Sequence, residues 1–378
     1  MTTTAAPSPG QEAITVPLGE IERELNRQLR ALQGSDEAPL LRARMSNLVI
    51  FCDRKETSES VTAQIPDIVA VHPARVVLLV AEPGPEDANI TATVQVRGHR
   101  LGNRQQACTE QVTLYAAGAM VGGFPFAVRA LEIGDLPTNL WWASAQPPPL
   151  AGPLLYGLSE NAQQIIYDSL GWLEPARAVA ATANWIEQLA SESGGGRWRV
   201  ASDLNWRRLK YWRRLLAQAL DPASAPAAAE SVSEVLVEHG PHAVVQAWEL
   251  MSWLSQMLNW QVLTGRVQPG VELSWRFASP KGEPRIRIRR LEKGPPEIRR
   301  VQIACRLEGK PVTMNLVVES DHRLAGHLEG IDAAPRTVNL PKQSPAELIG
   351  RQLSDREPDP VFRESMSIAR VFARSVLS

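Results

Sequence analysis

The 378-residue sequence predicts an α/β fold of mixed α+β character: two sheet-containing domains, the first α/β, the second helices plus a largely antiparallel sheet. Three observations predict it. Short continuous apolar runs, Ser46–Cys52 (SNLVIFC) and His72–Val80 (HPARVVLLV), alternate with helix-period segments, as buried strands of a layered domain do. From Val271 onward the pattern changes to alternating strands with short turns, which reads as an antiparallel sheet. At about 150 residues per domain the length suggests two domains, and the tract Gln146-Pro147-Pro148-Pro149 is the clearest linker. The expected division is a flexible tail at 1–17, an α/β domain at 18–145, a linker at 146–153 and the second domain at 154–378.

Each element has its own reason. Residues 1–17 are rich in Thr, Ala and Pro and cannot bury a core. Ile21, Leu25, Leu29 and Leu32 recur at helical spacing. Residues 56–71 also read as helix, despite Pro66. ITATVQVRGH and QACTEQVTLYA alternate with period two and pair around Gly102-Asn103-Arg104. The glycine-rich GAMVGG leads into a helix, and LPTNLWWA is a strand. In the second half QIIYDSL is a strand, 175–191 a helix ended by Gly194-Gly195-Gly196, and SDLNWRRLKYWRRLLAQALD a helix capped by Ser202 or Asp203. SVSEVLVEHG is a strand. HAVVQAWELMSWLSQMLNW is a helix apolar on most sides, hence buried. ELSWRF, RIRIRRL, RRVQIACRLEG, VTMNLVVES and RLAGHLEG form the antiparallel sheet, and helices at 344–354 and 361–376 close the chain.

Composition excludes several function classes. Charged residues are 21% and the formal net charge is −1, so a nucleic-acid-coating protein is disfavoured. No apolar run is long enough to span a membrane, and no secretory or transit signal precedes the first helix; a cytoplasmic protein without membrane contact is expected. Three cysteines, Cys52, Cys108 and Cys305, do not make a secreted disulfide framework. No catalytic, cofactor or metal motif is found. GAMVGG lacks the dinucleotide spacing and follows no clear parallel strand; Gly309-Lys310-Pro311 is no phosphate loop. His239/His242 and His322/His327 have no accompanying cysteines.

Two basic segments stand out. Residues 197–214 interleave arginine and lysine with Trp198, Trp206, Tyr211 and Trp212. On a helix, Trp206, Leu209, Trp212, Leu216 and Leu220 form one stripe, and Arg207, Lys210 and Arg214 the opposite one. In RIRIRR, Arg285, Arg287 and Arg289 share one strand face. A solvated face is the ordinary reading of each. A surface for a phosphate or an acidic partner is the functional one.

The order of these segments resembles the OpcA family of glucose-6-phosphate dehydrogenase assembly proteins. SDLNWRRLKYWRRLLAQALD, EVLVEHG and the Trp-rich helix ending LNW carry the resemblance, with RMSNLVIFC, HPARVVLL and GDLPTNLWW in the same order before them. It spans roughly residues 20–378, and Asp203–Arg213 is its most specific piece. It implies a non-enzymatic activator that binds glucose-6-phosphate dehydrogenase and promotes its active state, with no catalytic residues or cofactors. In the cyanobacterial, redox-linked branch it implies control through thioredoxin, which makes Cys52, Cys108 and Cys305 redox candidates. Cys52 and Cys108, in one expected domain, are the preferred pair. The family-specific helix then supplies the partner-interface candidates: Asp203, Asn205, Trp206, Arg207, Lys210, Trp212, Arg213 and Arg214. The alternative is a sugar-phosphate-binding enzyme or sensor using the arginine clusters.

Overall fold

The computed structural model describes residues 12–33, 40–41, 44–84, 89–101, 105–192, 199–223, 225–320, 323–329, 334–341 and 343–377. The expected turns at Gly102–Arg104 and Gly194–Gly196, together with Trp198 and His322, lie outside them. Two sheets organise the chain.

The first sheet is assembled from β1 (Ile14–Val16), α1 (Ile21–Gln33), β2 (Leu40–Leu41), β3 (Ser46–Cys52), α2 (Lys55–Val71), β4 (Ala74–Glu82), β5 (Thr91–Leu101), β6 (Gln105–Ala117), α3 (Phe124–Leu131), β7 (Thr138–Ala143), α4 (Pro153–Ser159), β8 (Ala162–Tyr167), α5 (Pro175–Glu192) and β9 (Val200–Asp203). Its strands lie in the order β1-β5-β6-β4-β3-β7-β8-β9, with β2 beside β6. The six from β6 to β9 are mutually parallel, while β5 and β1 run antiparallel at one edge. Numbered along the chain, the parallel strands fall in the order third, second, first, fourth, fifth, sixth. That is the strand order of the doubly wound, Rossmann-type fold. The strands are continuous apolar runs because helices cover both faces. On one face Leu48, Ile50, Val76 and Leu78 pack with Ile65 and Ile68 of α2. On the other, Val49, Phe51, Val77 and Leu79 join a core that continues into the second sheet.

The second part comprises α6 (Leu204–Arg208), α7 (Lys210–Ala219), β10 (Glu234–His239), α8 (Val244–Met257), β11 (Gln261–Gln268), β12 (Glu272–Ala278), β13 (Arg285–Arg290), β14 (Ile298–Leu307), β15 (Lys310–Ser320), β16 (Arg323–Glu329), β17 (Arg336–Asn339), α9 (Pro345–Ser354) and α10 (Pro360–Leu377). The strand order is β11-β12-β13-β10-β14-β15-β16-β17, antiparallel throughout except that β10 and β13 are parallel. Aromatic rings fasten the helices to its inner face. Trp248 of α8 meets Trp275 edge-on at 5.0 Å, and Trp275 and Phe277 meet Phe372 of α10 at 4.8 and 5.3 Å. α10 crosses β11 so closely that a Cβ on Gly265 would lie 2.5 Å from Ser375 Oγ. Only a glycine strand permits that approach.

Four expectations need correction. The proline tract at 146–153 does not end the first sheet: β8 and β9 lie beyond it and pair in parallel with β7 and β8. Pro148–Ala151 forms a 3-10 turn with Pro148 buried, so the locked φ angles serve a tight crossover rather than a spacer. In the expected tail, Ile14–Val16 is a strand paired with β5. The helix expected across 203–220 breaks at Leu209 into α6 and α7. The apolar helix ends at Met257, and the chain continues as edge strand β11.

Candidate functional site

In a doubly wound sheet, ligands bind where the strand order reverses, outside the carboxyl ends of the strands. Here that point lies between β3 and β7. A dinucleotide needs a glycine-rich turn there, so that its pyrophosphate can approach the backbone at a helix N-terminus. The turn from β3 to α2 is instead Asp53-Arg54, without glycine. Ser144 Oγ, just past β7, donates to Asp53 Oδ2 at 2.7 Å and closes the crevice. Asp53, just before α2, and Glu56, in its first turn, put negative charge where a pyrophosphate would sit. The residues present do not fit a dinucleotide. GAMVGG does follow a parallel strand, β6, contrary to expectation, but it lies two strands from the reversal.

The family-specific segment starts at the carboxyl end of β9. Asp203 caps α6: its Oδ1 accepts from the amides of Asn205 at 2.8 Å and Ser169 at 3.2 Å. Asn205 Nδ2 donates to Ser169 Oγ at 2.8 Å. Arg208 grips Asp168 through two 2.7 Å hydrogen bonds, a fork geometry that only arginine provides. These contacts tie α6 to the end of β8. On the other side of α6, Trp206 Nε1 donates to Asp359 at 2.7 Å, and its ring tilts against Phe362 at 5.3 Å. Arg207 bonds Gln352 at 2.7 Å and Asp355 at 2.8 Å. Arg213 lies 3.6 Å over the Trp206 ring. Burial pulls its pKa down to about 10. The segment thus bolts the first sheet to α9 and α10.

At its centre two carboxylates meet. Glu249 of α8 is fully buried, neither of its oxygens has a donor, and Asp203 Oδ2 has none either. Burial and the Asp203 charge hold Glu249 protonated well above the usual carboxylate range. It then donates to Asp203, whose own pKa burial raises to about 6. Two like charges cannot both be kept in a dry site, so the pair shares a proton. Tyr167, buried beside them, is likewise held neutral. A crevice of about 310 Å³ opens beside this node, lined among others by Asp203, Arg207, Lys210 and Asp359.

The interface candidates separate into two groups. Asp203, Asn205, Trp206 and Trp212 are buried and hold the junction. Arg207 and Arg213 are half-buried and engaged internally, which leaves Lys210 and Arg214 exposed. The stripe reading of Trp206, Leu209, Trp212, Leu216 and Leu220 is borne out, since all five are buried. Sequence reading missed Asp168, Glu249, Asp359 and the Asp53–Ser144 contact. A lone carboxylate in an otherwise apolar helix was the available signal for Glu249.

The preferred Cys52–Cys108 pair is excluded by register. Cys52 stands level with Val80 and, across β4, with Tyr115. Tyr115 is seven residues beyond Cys108, about 23 Å along the strand, whereas a disulfide needs Cα atoms within about 7 Å. Cys305 lies in the second sheet. All three are buried; burial pushes the Cys52 thiol up to about 12 and raises that of Cys305, the opposite of a reactive thiol. His239 and His242 do not belong to any cluster of three metal-ligating side chains among the described residues.

Comparison with known proteins fits this architecture. Residues 66–184 match a family described as the glucose-6-phosphate dehydrogenase subunit N-terminal domain, and residues 199–366 its C-terminal domain. The OxPP cycle protein OpcA of Nostoc punctiforme is 30% identical over 210 residues, covering 55% of this chain and 43% of that protein. Its namesake from Synechocystis is 26% identical over 211 residues, covering 54% and 41%. The chain thus spans less than half the length of the curated relatives it matches. Among solved structures, an oxidoreductase from Sinorhizobium meliloti superposes with a TM-score of 0.50 at 11% identity, covering 89% of this chain and 97% of that one. Gal80p from Saccharomyces cerevisiae gives 0.51 at 10%, covering 89% and 96%. Those two likenesses concern the fold alone. With two consecutive family domains matched across most of its length, the chain belongs to the OpcA family of glucose-6-phosphate dehydrogenase assembly proteins.

Proposed function

We propose that this chain is a non-catalytic partner of glucose-6-phosphate dehydrogenase that favours the enzyme's assembled, active state in the oxidative pentose phosphate pathway, in the cytoplasm. The observation that carries the proposal is the pair of family domains named for that enzyme. The glycine-free, Ser144-latched turn supports it, because a dehydrogenase-type fold without a pyrophosphate cradle does not turn over a dinucleotide. An activator works by binding the active state of its target more tightly than the inactive one. A coupling of about 1–3 kcal/mol is enough to change substrate affinity severalfold.

Lys210 and Arg214 are the exposed part of the family-specific segment and its contact with the enzyme. The double reversal Lys210→Glu/Arg214→Glu is expected to weaken co-elution with the dehydrogenase at least tenfold while leaving the melting temperature unchanged. Undiminished binding at physiological salt removes this surface from the proposal.

The thiol switch and a thioredoxin partner have no support in the positions of the cysteines. A variant with Cys52, Cys108 and Cys305 all changed to alanine is expected to activate the dehydrogenase equally under oxidising and reducing conditions, as is the wild type. An oxidation-dependent difference confined to the wild type contradicts this. Of the arginines invoked for a sugar-phosphate site, Arg287 is engaged by Glu272 and Glu234 and Arg207 by Asp355.

A further inference from the structure

We propose that the cleft between the loop after β8 and the near end of the second sheet is a binding site for a small organic anion that also carries a hydroxyl group. The cleft encloses about 320 Å³, within the range of roughly 300–1,000 Å³ for small-ligand sites. It lies outside the carboxyl end of β8, on the side where open α/β sheets receive ligands. Its walls are apolar: Trp172 and Leu173 from the loop, Val267, Leu273 and Ile288 from the sheet. Leu173 is 88% exposed, an apolar side chain standing at the open mouth. The walls are held in place. Gly171 N donates to His242 O at 3.0 Å, joining the loop after β8 to the turn between β10 and α8. His242 takes a φ of 70°, a left-handed conformation that a histidine adopts where its surroundings impose it.

Three groups in this cleft decide the ligand. His239 and Arg290 end β10 and β13, neighbouring parallel strands on which they stand in register. Each continues the buried alternation of its strand, His239 after Val235 and Val237, Arg290 after Ile286 and Ile288, so both point to the inner face. Arg290 is exposed and makes no ion pair among the described residues. α8 starts at the cleft, which Val244 lines, and no side chain caps its first amides. A guanidinium and the uncapped amino end of a helix both attract a carboxylate or a phosphate. Glu272, at the rim, offers little repulsion, because Arg287 at 2.8 Å and Arg289 at 3.5 Å already hold it. His239 supplies the other half of the recognition. It is 2% exposed, and its Nδ1 donates to Gly240 O at 2.7 Å, since a carbonyl can only accept. In the neutral ring Nε2 is then a lone pair with no partner among the described residues, turned to the cleft that His239 lines. Burial and the nearby Arg290 charge hold its pKa below the usual histidine value, which keeps the ring neutral. Such a lone pair accepts from a hydroxyl. One small molecule with both groups satisfies the site: a phosphorylated or carboxylated sugar, its carbon skeleton against the apolar wall.

The test needs this chain alone, so failure of the site and failure of the dehydrogenase reading are separate results. The full chain is titrated calorimetrically at physiological salt with glucose 6-phosphate, gluconate, glucose and inorganic phosphate in turn. Glucose 6-phosphate or gluconate is expected to bind saturably, and which of them binds tells phosphate from carboxylate. Glucose lacks the anion and inorganic phosphate lacks the carbon skeleton, so each is expected to bind at least about tenfold more weakly. Arg290→Gln and His239→Phe are each expected to weaken the bound ligand about tenfold or more. Arg285→Gln, at the other end of the same strand, is expected to stay within about twofold of wild type. If His239→Phe fails to fold by circular dichroism, Leu173→Glu at the exposed mouth replaces it and is expected to weaken the anion likewise. No saturable binding of glucose 6-phosphate or gluconate at millimolar concentration overturns the proposal. So does binding that survives Arg290→Gln, or that Arg285→Gln weakens as much.

Discussion

Replacing Trp206 by alanine is expected to lower the unfolding free energy by about 3–5 kcal/mol, the range for deleting a buried large aromatic. The ring fills the space between α6 and Phe362, its Nε1 holds Asp359, and its face carries Arg213. Its loss leaves a cavity and uncovers the half-buried Arg213, while the exposed Asp359 loses only a hydrogen bond. Lys210→Ala, four residues on and exposed, is expected to stay within about 0.5 kcal/mol of wild type. Urea denaturation of both variants checks the contrast. Equal effects would mean that the segment is not the bolt described above. Trp206→Phe retains most of the volume but not the donor, and falls between the two.

Glu249→Gln is expected to stabilise the protein at pH 8 by about 1–3 kcal/mol, and to lose that gain as the pH falls toward 4. The sign follows from the raised folded pKa values. Between the ordinary carboxylate range and the raised values, the folded state keeps protons that the unfolded chain releases, so stability falls as pH rises through that window. Each pKa unit corresponds to about 1.4 kcal/mol. Asp203, held at about 6 against an ordinary 3.8, and Glu249, raised well above the usual carboxylate range, both contribute to that window. A glutamine amide donates to Asp203 Oδ2 as the protonated Glu249 does, but cannot ionise. Thermal melts of wild type and variant from pH 4 to 8 decide it. Parallel curves would show that the pair does not share a proton. Asp203→Asn is the poorer probe, since that side chain also caps α6.

The fold was legible where local patterns and tertiary surroundings agree. Ser46–Cys52 and Ala74–Glu82 are apolar throughout because both faces are covered, and that composition is itself the signal of a parallel sheet. The alternating strands beyond Val271 were readable for the complementary reason, since one face stays wet. The boundary was misread because proline in a crossover turn and proline in a linker have the same composition; burial of Pro148 distinguishes them, and burial is a property of the folded chain. The candidate segment was legible as a distinctive string of residues, but not that Asp203, Asn205, Trp206 and Trp212 turn inward while Lys210 and Arg214 face out. Tryptophan and arginine anchor interfaces between chains and also junctions within one, by the same packing and hydrogen bonding. Its partners Gln352, Asp355 and Asp359 lie about 150 residues away, beyond the reach of any spacing rule. The cysteine pairing failed on register: two residues of one sheet can be far apart along its strands.

The central claim is that this chain acts on glucose-6-phosphate dehydrogenase without turning over its cofactor. The direct measurement is a titration of the purified chain into that enzyme at sub-saturating glucose 6-phosphate, following NADPH formation, with the chain alone as control. The account predicts a saturable rise in rate and no turnover by the chain alone, the same in oxidised and reduced protein. No change in rate and no co-elution with the enzyme, or NADP⁺ reduction by the isolated chain, would contradict it.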